Sequence, residues 1–238
     1  MLILGIDTSC ACAKVALTED THLLAESYND DQRTHSVKLM PMVDNLFRTS
    51  GRDIGEVELI GVINGPGSFT GLRIGAATAK AIAFALDIPV VGVNTLEFLA
   101  VSVTEQDKII CPAVDARNAN VYSAIYFQGK ILKECRVRSA SELAAESLSF
   151  AEHFSSEVRM TGDGAAAYRA VYASVLGERY GESDSLSGKA EVICRLAAKI
   201  YADTPDKSVF SHENLTVNYY RPSQAERMRA EKEAAPHD

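Results

Sequence analysis

Residues 62–73 read VINGPGSFTGLR, and this stretch decides the fold. It continues an apolar run, LIGVI (59–63), of the kind that forms a buried strand. Asn64-Gly65-Pro66-Gly67 then turns the chain. Proline second and glycine third suit a type II turn with Gly67 at positive φ. Gly65, held out of the helical region by Pro66, stops any helix from crossing. Thr70 is a candidate N-cap for an alanine-rich helix from Gly71 to Leu86. Strand, glycine turn and helix start make up one α/β unit, with the free amides of the helix start facing whatever lies beyond the strand end.

Two uses of this loop compete. In one, the amides and helix dipole cradle a phosphate; in the other, a tight turn joins strand to helix and Phe69 is a packing side chain. The spacing lacks the lysine of GxxxxGK[ST] and is not GxGxxG. Arg73 in the first helical turn opposes the dipole, which calls for a carboxylate or a bound anion beside it.

Outward from the loop, the elements alternate. Leu2–Ile6, Lys14–Thr18 and Leu23–Ser27 read as an antiparallel meander, the first strand ending at Asp7-Thr8-Ser9. Thr34 caps a helix to about Ser50, with Val37, Met40, Val43 and Phe47 at helical spacing and Pro41 as an expected kink or broken bond. Val57–Ile63, the loop, its helix, Pro89–Val93 and a helix capped by Asn94 or Thr95 follow. The order then repeats: Ile109–Asp115, Val121–Phe127 and Ile131–Val137, a helix from a capping box at Ser139–Glu142, Val158–Thr161, the turn Gly162-Asp163-Gly164 and a helix Ala165–Leu176. A helix from Lys189 to Tyr201 and a piece at Thr216–Tyr220 complete it. The fold class is α/β: two lobes, each a mixed sheet flanked by helices, spanning 1–105 and 106–222 with the boundary near Glu105–Lys108, then a charged tail at 223–238. Such lobes hold ligands in the cleft between them.

At 238 residues, 47% hydrophobic and 24% charged, the chain is an ordinary globular one with room for a real core. No run approaches the roughly 18 apolar residues of a membrane helix, and MLILGID has no basic leader signature. The five cysteines are odd in number with no C-x-x-C pair, which reads as free or buried thiols in a reducing cytoplasm. A net charge of −8 argues against gripping nucleic acid unaided.

For chemistry, Asp7 and Asp115 each close the first strand of a lobe. They either share a hydrated Mg²⁺ across the cleft or cap their own strand ends in the Asx manner. The histidines form no i, i+4 pair, and no G-x-S-x-G elbow is present. Gly71, Gly75, Ala79 and Ala83 recur at i, i+4, giving one face almost free of side chains. That face serves close packing inside one domain, or a helix bundle between subunits with the Thr34–Ser50 helix.

Several stretches carry a family resemblance: ILGIDTSCACAKVAL (3–17), THSVKLMPMV (34–43), GVINGPGSFTGLRIGAATAKAIA (61–83), VGVNTLEFLA (91–100), AVDARNANVYSAIY (113–126) and YYRPSQAER (219–227). Together they resemble the TsaB (YeaZ) family of the acetate kinase, Hsp70 and actin superfamily. The resemblance implies duplicated RNase H-like lobes and a cytoplasmic protein of bacterial threonylcarbamoyladenosine synthesis at position 37 of ANN-decoding tRNAs. It implies a non-catalytic scaffold paired with the paralogue TsaD, which holds the metal, and joined by the ATPase TsaE. tRNA is met only through that complex, and the chain alone forms a homodimer. It further implies a partner interface at Val37, Met40, Val43, Phe47, Thr70, Gly71, Gly75, Ala79 and Ala83. A vestigial nucleotide cleft falls at Asp7, Thr8, Ser9, Gly67, Ser68, Asp115, Gly162 and Gly164. No cofactor or metal is implied, with weak nucleotide binding left open. Departures agree: no glycine follows Asp7, Val114-Asp115-Ala116-Arg117 lacks the glycines of an active relative, and His35 is followed four places on by Leu39 where TsaD has a second metal-binding histidine. The competing classes are a small actin-like phosphotransferase or ATPase using the cleft, and a metallopeptidase of the kind older glycoprotease names suggest.

Overall fold

The computed structural model describes residues 1–30, 35–183 and 188–220. Two five-stranded mixed sheets carry the chain. The first contains β1 (Leu2–Asp7), β2 (Ala13–Glu19), β3 (His22–Asn29), β4 (Leu59–Gly65) and β5 (Val90–Asn94), in the order β3-β2-β1-β4-β5. β1 pairs antiparallel with β2 and parallel with β4. The second sheet repeats the plan with β6 (Ile109–Arg117), β7 (Asn120–Phe127), β8 (Lys130–Ser139), β9 (Val158–Thr161) and β10 (Tyr180–Glu182), in the order β10-β9-β6-β7-β8. The duplicated α/β order read from the sequence is the one observed. β10, three residues long, is the strand it lacked.

Strand residues alternate between the two faces of the first sheet. Leu2, Leu4, Ile6, Val15, Ile60 and Val62 meet α1 (His35–Ser50) and α2 (Phe69–Leu86) on one side. Ile3, Leu59 and Ile63 face the other side. That side is covered by α7 (Glu191–Asp203), which packs on β1, β2, β4 and β5 although it comes from the far end of the chain. Gly5 and Gly61 make room for it, since a β-carbon at Gly61 would lie 2.7 Å from the Ala197 methyl. α3 (Thr95–Ser102) packs on β6 and against α7, so one apolar core runs from Ile3 and Val91 through Phe98 to Ile110 and Val114. Residues 106–222 are therefore continuous in sequence but not in packing, because α7 belongs with the first sheet.

Several local expectations change. The Gly65–Pro66 bond is cis and Gly65, not Gly67, has positive φ (125°), so the turn is not type II. α2 starts two residues early: Ser68, not Thr70, is the N-cap, its hydroxyl accepting from the Gly71 amide at 3.3 Å. α1 does not end at Pro41 but runs on to Ser50; the proline, on the solvent side, still has no N–H to donate, so the expected loss of one helical bond stands. Ser139 caps α4 (Ala140–His153) as expected, but the Glu142 carboxylate pairs with Arg136 at 3.0 Å, where a capping box would turn it back. The single helix expected over 165–176 is two, α5 (Asp163–Ala167) and α6 (Arg169–Leu176), broken at Tyr168. Thr34 and the 223–238 tail lie outside the described residues. α2, with 18 residues and a mean hydropathy of 1.2, does reach the length and composition of a bilayer span, contrary to expectation. Here it is a core helix, with Leu72, Ala79 and Ala83 buried.

Candidate functional site: the interlobe cleft and the outer helical face

The signature loop and the end of β1 dock on each other. The Ser68 amide donates to the Ser9 carbonyl at 2.7 Å, and the Thr8 hydroxyl donates to the Gly71 carbonyl at 2.7 Å. A β-carbon on Gly67 would meet the Ser9 carbonyl oxygen at 2.7 Å, and one on Gly75 would meet the Thr8 hydroxyl oxygen at 2.5 Å. The glycines therefore bring two segments of one lobe together. This close approach of backbone to backbone is what the tight-turn reading of the loop describes.

A cavity of about 190 Å³ opens between the lobes, lined by Asp7, Ser9, Cys10, Cys12, Gly162 and Asp163 above a floor of Phe98, Leu99 and Val114. It is smaller than the roughly 300–1,000 Å³ of most ligand pockets. Of the eight residues expected there, Asp7, Ser9 and Gly162 line it; Thr8, Gly67, Ser68, Asp115 and Gly164 do not. The two strand-closing aspartates serve their own loops. Asp7 accepts from the Ser9 amide at 2.8 Å and the Ser9 hydroxyl at 2.6 Å, and its other oxygen lies 3.1 Å from the Lys14 ammonium. Asp115 accepts from the Arg117 amide at 2.8 Å and the Tyr168 hydroxyl at 2.9 Å. Both follow the Asx reading.

Lys14 and Asp7 are both almost fully buried. Burial pulls the Lys14 pKa down, but the Asp7 charge, helped by Cys10 and Cys12, outweighs it and the net shift is upward. Burial also pushes the Cys10 thiol up to about 11. Asp163, absent from the expected set, accepts from the Asp115 amide at 2.9 Å, and burial by the cleft walls is the main cause raising its carboxyl pKa. Lys14 was legible as a lone cation in the apolar run AKVAL; nothing in the sequence marked Asp163 beyond its place between two glycines. Among the described residues no cluster of three histidine, cysteine or acidic side chains could hold a metal.

The outer face of the first lobe differs from expectation in a consistent way. Val37 (69% exposed) and Met40 (49%) point outward, as does Thr70, but Val43 and Phe47 are buried against the sheet. Steps of three residues lag the helical turn by about 60° each, so that series drifts from the outer face to the inner one. Gly71, Gly75, Ala79 and Ala83 are also buried, so the small-residue stripe is a close-packing device within the lobe. A second stripe on α2 faces out: Ala77, Ala81, Ala85 and Phe84, the last 70% exposed. No carboxylate among the described residues pairs with Arg73. Its guanidinium lies 3.9 Å over the Phe69 ring and 5.7 Å from the Tyr219 ring, and its Nε donates to the Tyr219 hydroxyl at 2.8 Å.

Comparison with known proteins agrees with this architecture. The family model for TsaD, tRNA N6-adenosine threonylcarbamoyltransferase, matches residues 22–220. The Bacillus subtilis tRNA threonylcarbamoyladenosine biosynthesis protein TsaB is 34% identical over 75% of this chain and 78% of its own. The Escherichia coli protein of the same name is 35% identical over 53% of this chain, so the match spans only 55% of that relative. The structure of YeaZ from Pseudomonas aeruginosa superposes with a TM-score of 0.74 at 28% identity, covering 92% of this chain and 99% of that one. The ROK hexokinase of Thermus thermophilus, 12% identical with a TM-score of 0.50 over 85% of this chain and 100% of its own, shares the two-lobed actin-like fold and supports nothing beyond it.

Proposed function

Because the chain belongs to the TsaB (YeaZ) family, we propose that it acts in the cytoplasm in threonylcarbamoyladenosine synthesis on tRNA, as a non-catalytic subunit that pairs with a TsaD-family enzyme and is joined by TsaE. The observation that carries the non-catalytic part is the state of Asp7. The carboxylate that would anchor a cation in the cleft is buried, held by Ser9 and neutralised by Lys14. Freeing it would strand a buried ammonium, which costs several kcal/mol, on the order of 3–5. A nucleotide triphosphate would also have to enter a cavity of about 190 Å³ rimmed by Asp163.

Pairing is supported by the outer α1–α2 face, where Val37, Met40 and Phe84 are exposed beside the outward alanines. The corrected residue set matters, because Gly75 and Ala79 are core positions and charged substitutions there would unfold the lobe. Val37→Asp and Met40→Asp are the appropriate probes. Purified chain, TsaD-family enzyme, TsaE and tRNA would be combined and tRNA modification followed. Modification should require the chain, should fall with Val37→Asp, and should survive Asp163→Asn in the cleft. ATP hydrolysis by the purified chain alone, or loss of modification with Asp163→Asn in a folded protein, would favour the phosphotransferase alternative.

A further inference from the structure

The two lobes are tied together at both ends of α3. At its C-terminal end the linker into β6 is stiff. The Arg159 fork on β9 grips the Glu105 carboxylate at 2.8 and 2.9 Å, and the Gln106 side chain donates to the Ala100 and Val103 carbonyls at 3.1 and 2.6 Å. At the N-terminal end the tie is made by residues 215–220, whose last two tyrosines open the motif YYRPSQAER.

That segment is anchored on the first lobe. Leu215 is buried in its core, the Asn218 amide donates to the Asn64 carbonyl at 2.8 Å, and the Tyr219 ring lies 4.9 Å from that of Phe69 with its hydroxyl accepting from Arg73. Gly65 permits the approach: at φ 125°, a β-carbon there would stand 2.5 Å from the Asn218 carbonyl oxygen. Tyr220 then reaches across. Its hydroxyl accepts from Asn94 Nδ2 of the first lobe at 3.2 Å, while its ring lies 6.3 Å from that of Tyr122 on β7, tilted by 56°. Beside it is Cys135 on β8; burial raises that thiol's pKa, and the Tyr220 hydroxyl opposes part of the rise.

The position of Tyr220 matters mechanically. Asn94 caps the start of α3 and the linker follows its end, about 12 Å away at roughly 1.5 Å per residue. Tyr122 pairs with Val114, toward the end of β6 remote from the linker. The interlobe cavity lies at this same end, with Thr95, Phe98, Leu99 and Val114 in its wall. The linker is therefore the pivot side of the cleft, and Tyr220 stands at its mouth.

We propose that Tyr220 is a clasp between the lobes: its ring on Tyr122 and its hydroxyl on Asn94 hold the mouth of the cleft shut, and the cavity opens to small molecules when the clasp lets go of the second lobe. The two sides of the clasp are unequal. The first lobe holds the segment by a buried leucine, a backbone bond and a stacked ring. The second holds it by one tilted aromatic contact and a neighbouring thiol. Release therefore happens at Tyr122 and leaves Tyr219 and the signature loop in place. A single aromatic contact is weak enough to break at equilibrium and strong enough to set the open population.

The test labels the full chain with iodoacetamide at pH 8 and follows each cysteine by peptide mass analysis. Cys10 is the reporter, because it lines the cavity and takes no part in the Tyr220 contacts described above. Cys111 and Cys194, both fully buried, report unfolding. Labelling through transient opening tracks the open population. Tyr220→Ala should therefore speed Cys10 labelling about two- to tenfold, the population change one lost aromatic contact makes, with Cys111 and Cys194 still unlabelled. Tyr220→Phe, which keeps the ring and loses the hydroxyl, should give a smaller rise. Tyr219→Phe, which removes a hydroxyl bonded within the first lobe, should leave the rate unchanged. An unchanged Cys10 rate in Tyr220→Ala would overturn the clasp. So would a rise shared by Cys111 and Cys194, which is loss of the fold, or an equal rise in Tyr219→Phe, which is loosening of the first lobe alone.

Discussion

The Thr8 hydroxyl donates to the Gly71 carbonyl at 2.7 Å, and Gly71 lies so close to Thr8 that a β-carbon there would stand 1.9 Å from the Thr8 carbonyl oxygen. The two most distinctive motifs of the sequence, IDTS and GPGSFTG, are thus halves of one contact. Gly71→Ala must push backbone against backbone. It should cost at least the roughly 1–3 kcal/mol of an overpacked core. Gly75→Ala crowds only the Thr8 hydroxyl, at 2.5 Å; displacing it strains the bond to Gly71 but forces no backbone against backbone, so it should cost less. Urea denaturation of both variants checks the ranking, and equal stabilities would show that the loop can relax.

The Lys14–Asp7 pair should behave as a buried ion pair. Lys14→Met leaves an uncompensated carboxylate and should lose about 3–5 kcal/mol, whereas Lys14→Met with Asp7→Asn should recover a large part of that loss. The pH dependence has a definite sign. Lys14 has its pKa raised in the folded state, so its contribution is fully present below the unfolded value, near about 10.4, and fades as pH rises through the folded one. Stability of the wild type should therefore show no loss from this pair across neutral pH. A double-mutant cycle in which the two single losses simply add would remove the coupling.

The cleft thiols should be sluggish. Burial raises Cys10 from 9.0 to about 11, which lowers its thiolate fraction at pH 8 about a hundredfold, since each pKa unit is about a factor of ten. Cys12 is pushed up to about 12, again mainly by burial. Iodoacetamide followed by peptide mass analysis should label both far more slowly than a free cysteine at pH 8, with the Cys10 rate climbing toward pH 11. Rapid labelling at neutral pH would mean that the loop opens.

The order of strands and helices was legible because period-two and helical patterns, Gly65, Pro66 and the caps Asn94 and Ser139 are local signals, whereas Thr70 was mistaken for the cap that Ser68 supplies. The inner and outer faces of α1 and α2 were not. Leu39, Val43 and Phe47 differ from Val37 and Met40 only in angle around the helix, and which side meets the sheet is a tertiary fact. The alanines of α2 line both sides, so small residues at i, i+4 fitted the buried stripe and the exposed one equally well. Arg73 was expected to need an anion because the dipole argument considers only charge. The Phe69 and Tyr219 rings, one of them 146 residues away in sequence, supplied another solution. Long-range placement also hid Asp163 from the cleft set and α7 from the first lobe.

That last displacement gives the strongest test of how the lobes depend on each other. Ile193, Ala197 and Cys194 are fully buried, and they cover the face of the first sheet that carries Ile3, Leu59 and Ile63. Each large apolar side chain so buried is worth about 1.5–3 kcal/mol. Losing Val192, Ile193 and Leu196 together would therefore consume much of the roughly 5–15 kcal/mol by which a domain is stable. A chain ended after Ser183 keeps every strand of both sheets but lacks α7. It should lose cooperative unfolding in both lobes, because α3 and the shared core at Phe98 lose their support as well. A fragment consisting of residues 1–104 should fail in the same way. Ala197→Leu in the full chain offers a gentler version: Gly61 leaves no room beneath Ala197, so about 1–3 kcal/mol should be lost with the fold retained. Calorimetry distinguishes the outcomes. If the truncated chain melts in a single sharp transition near the wild-type temperature, the first sheet does not need the helix that covers it.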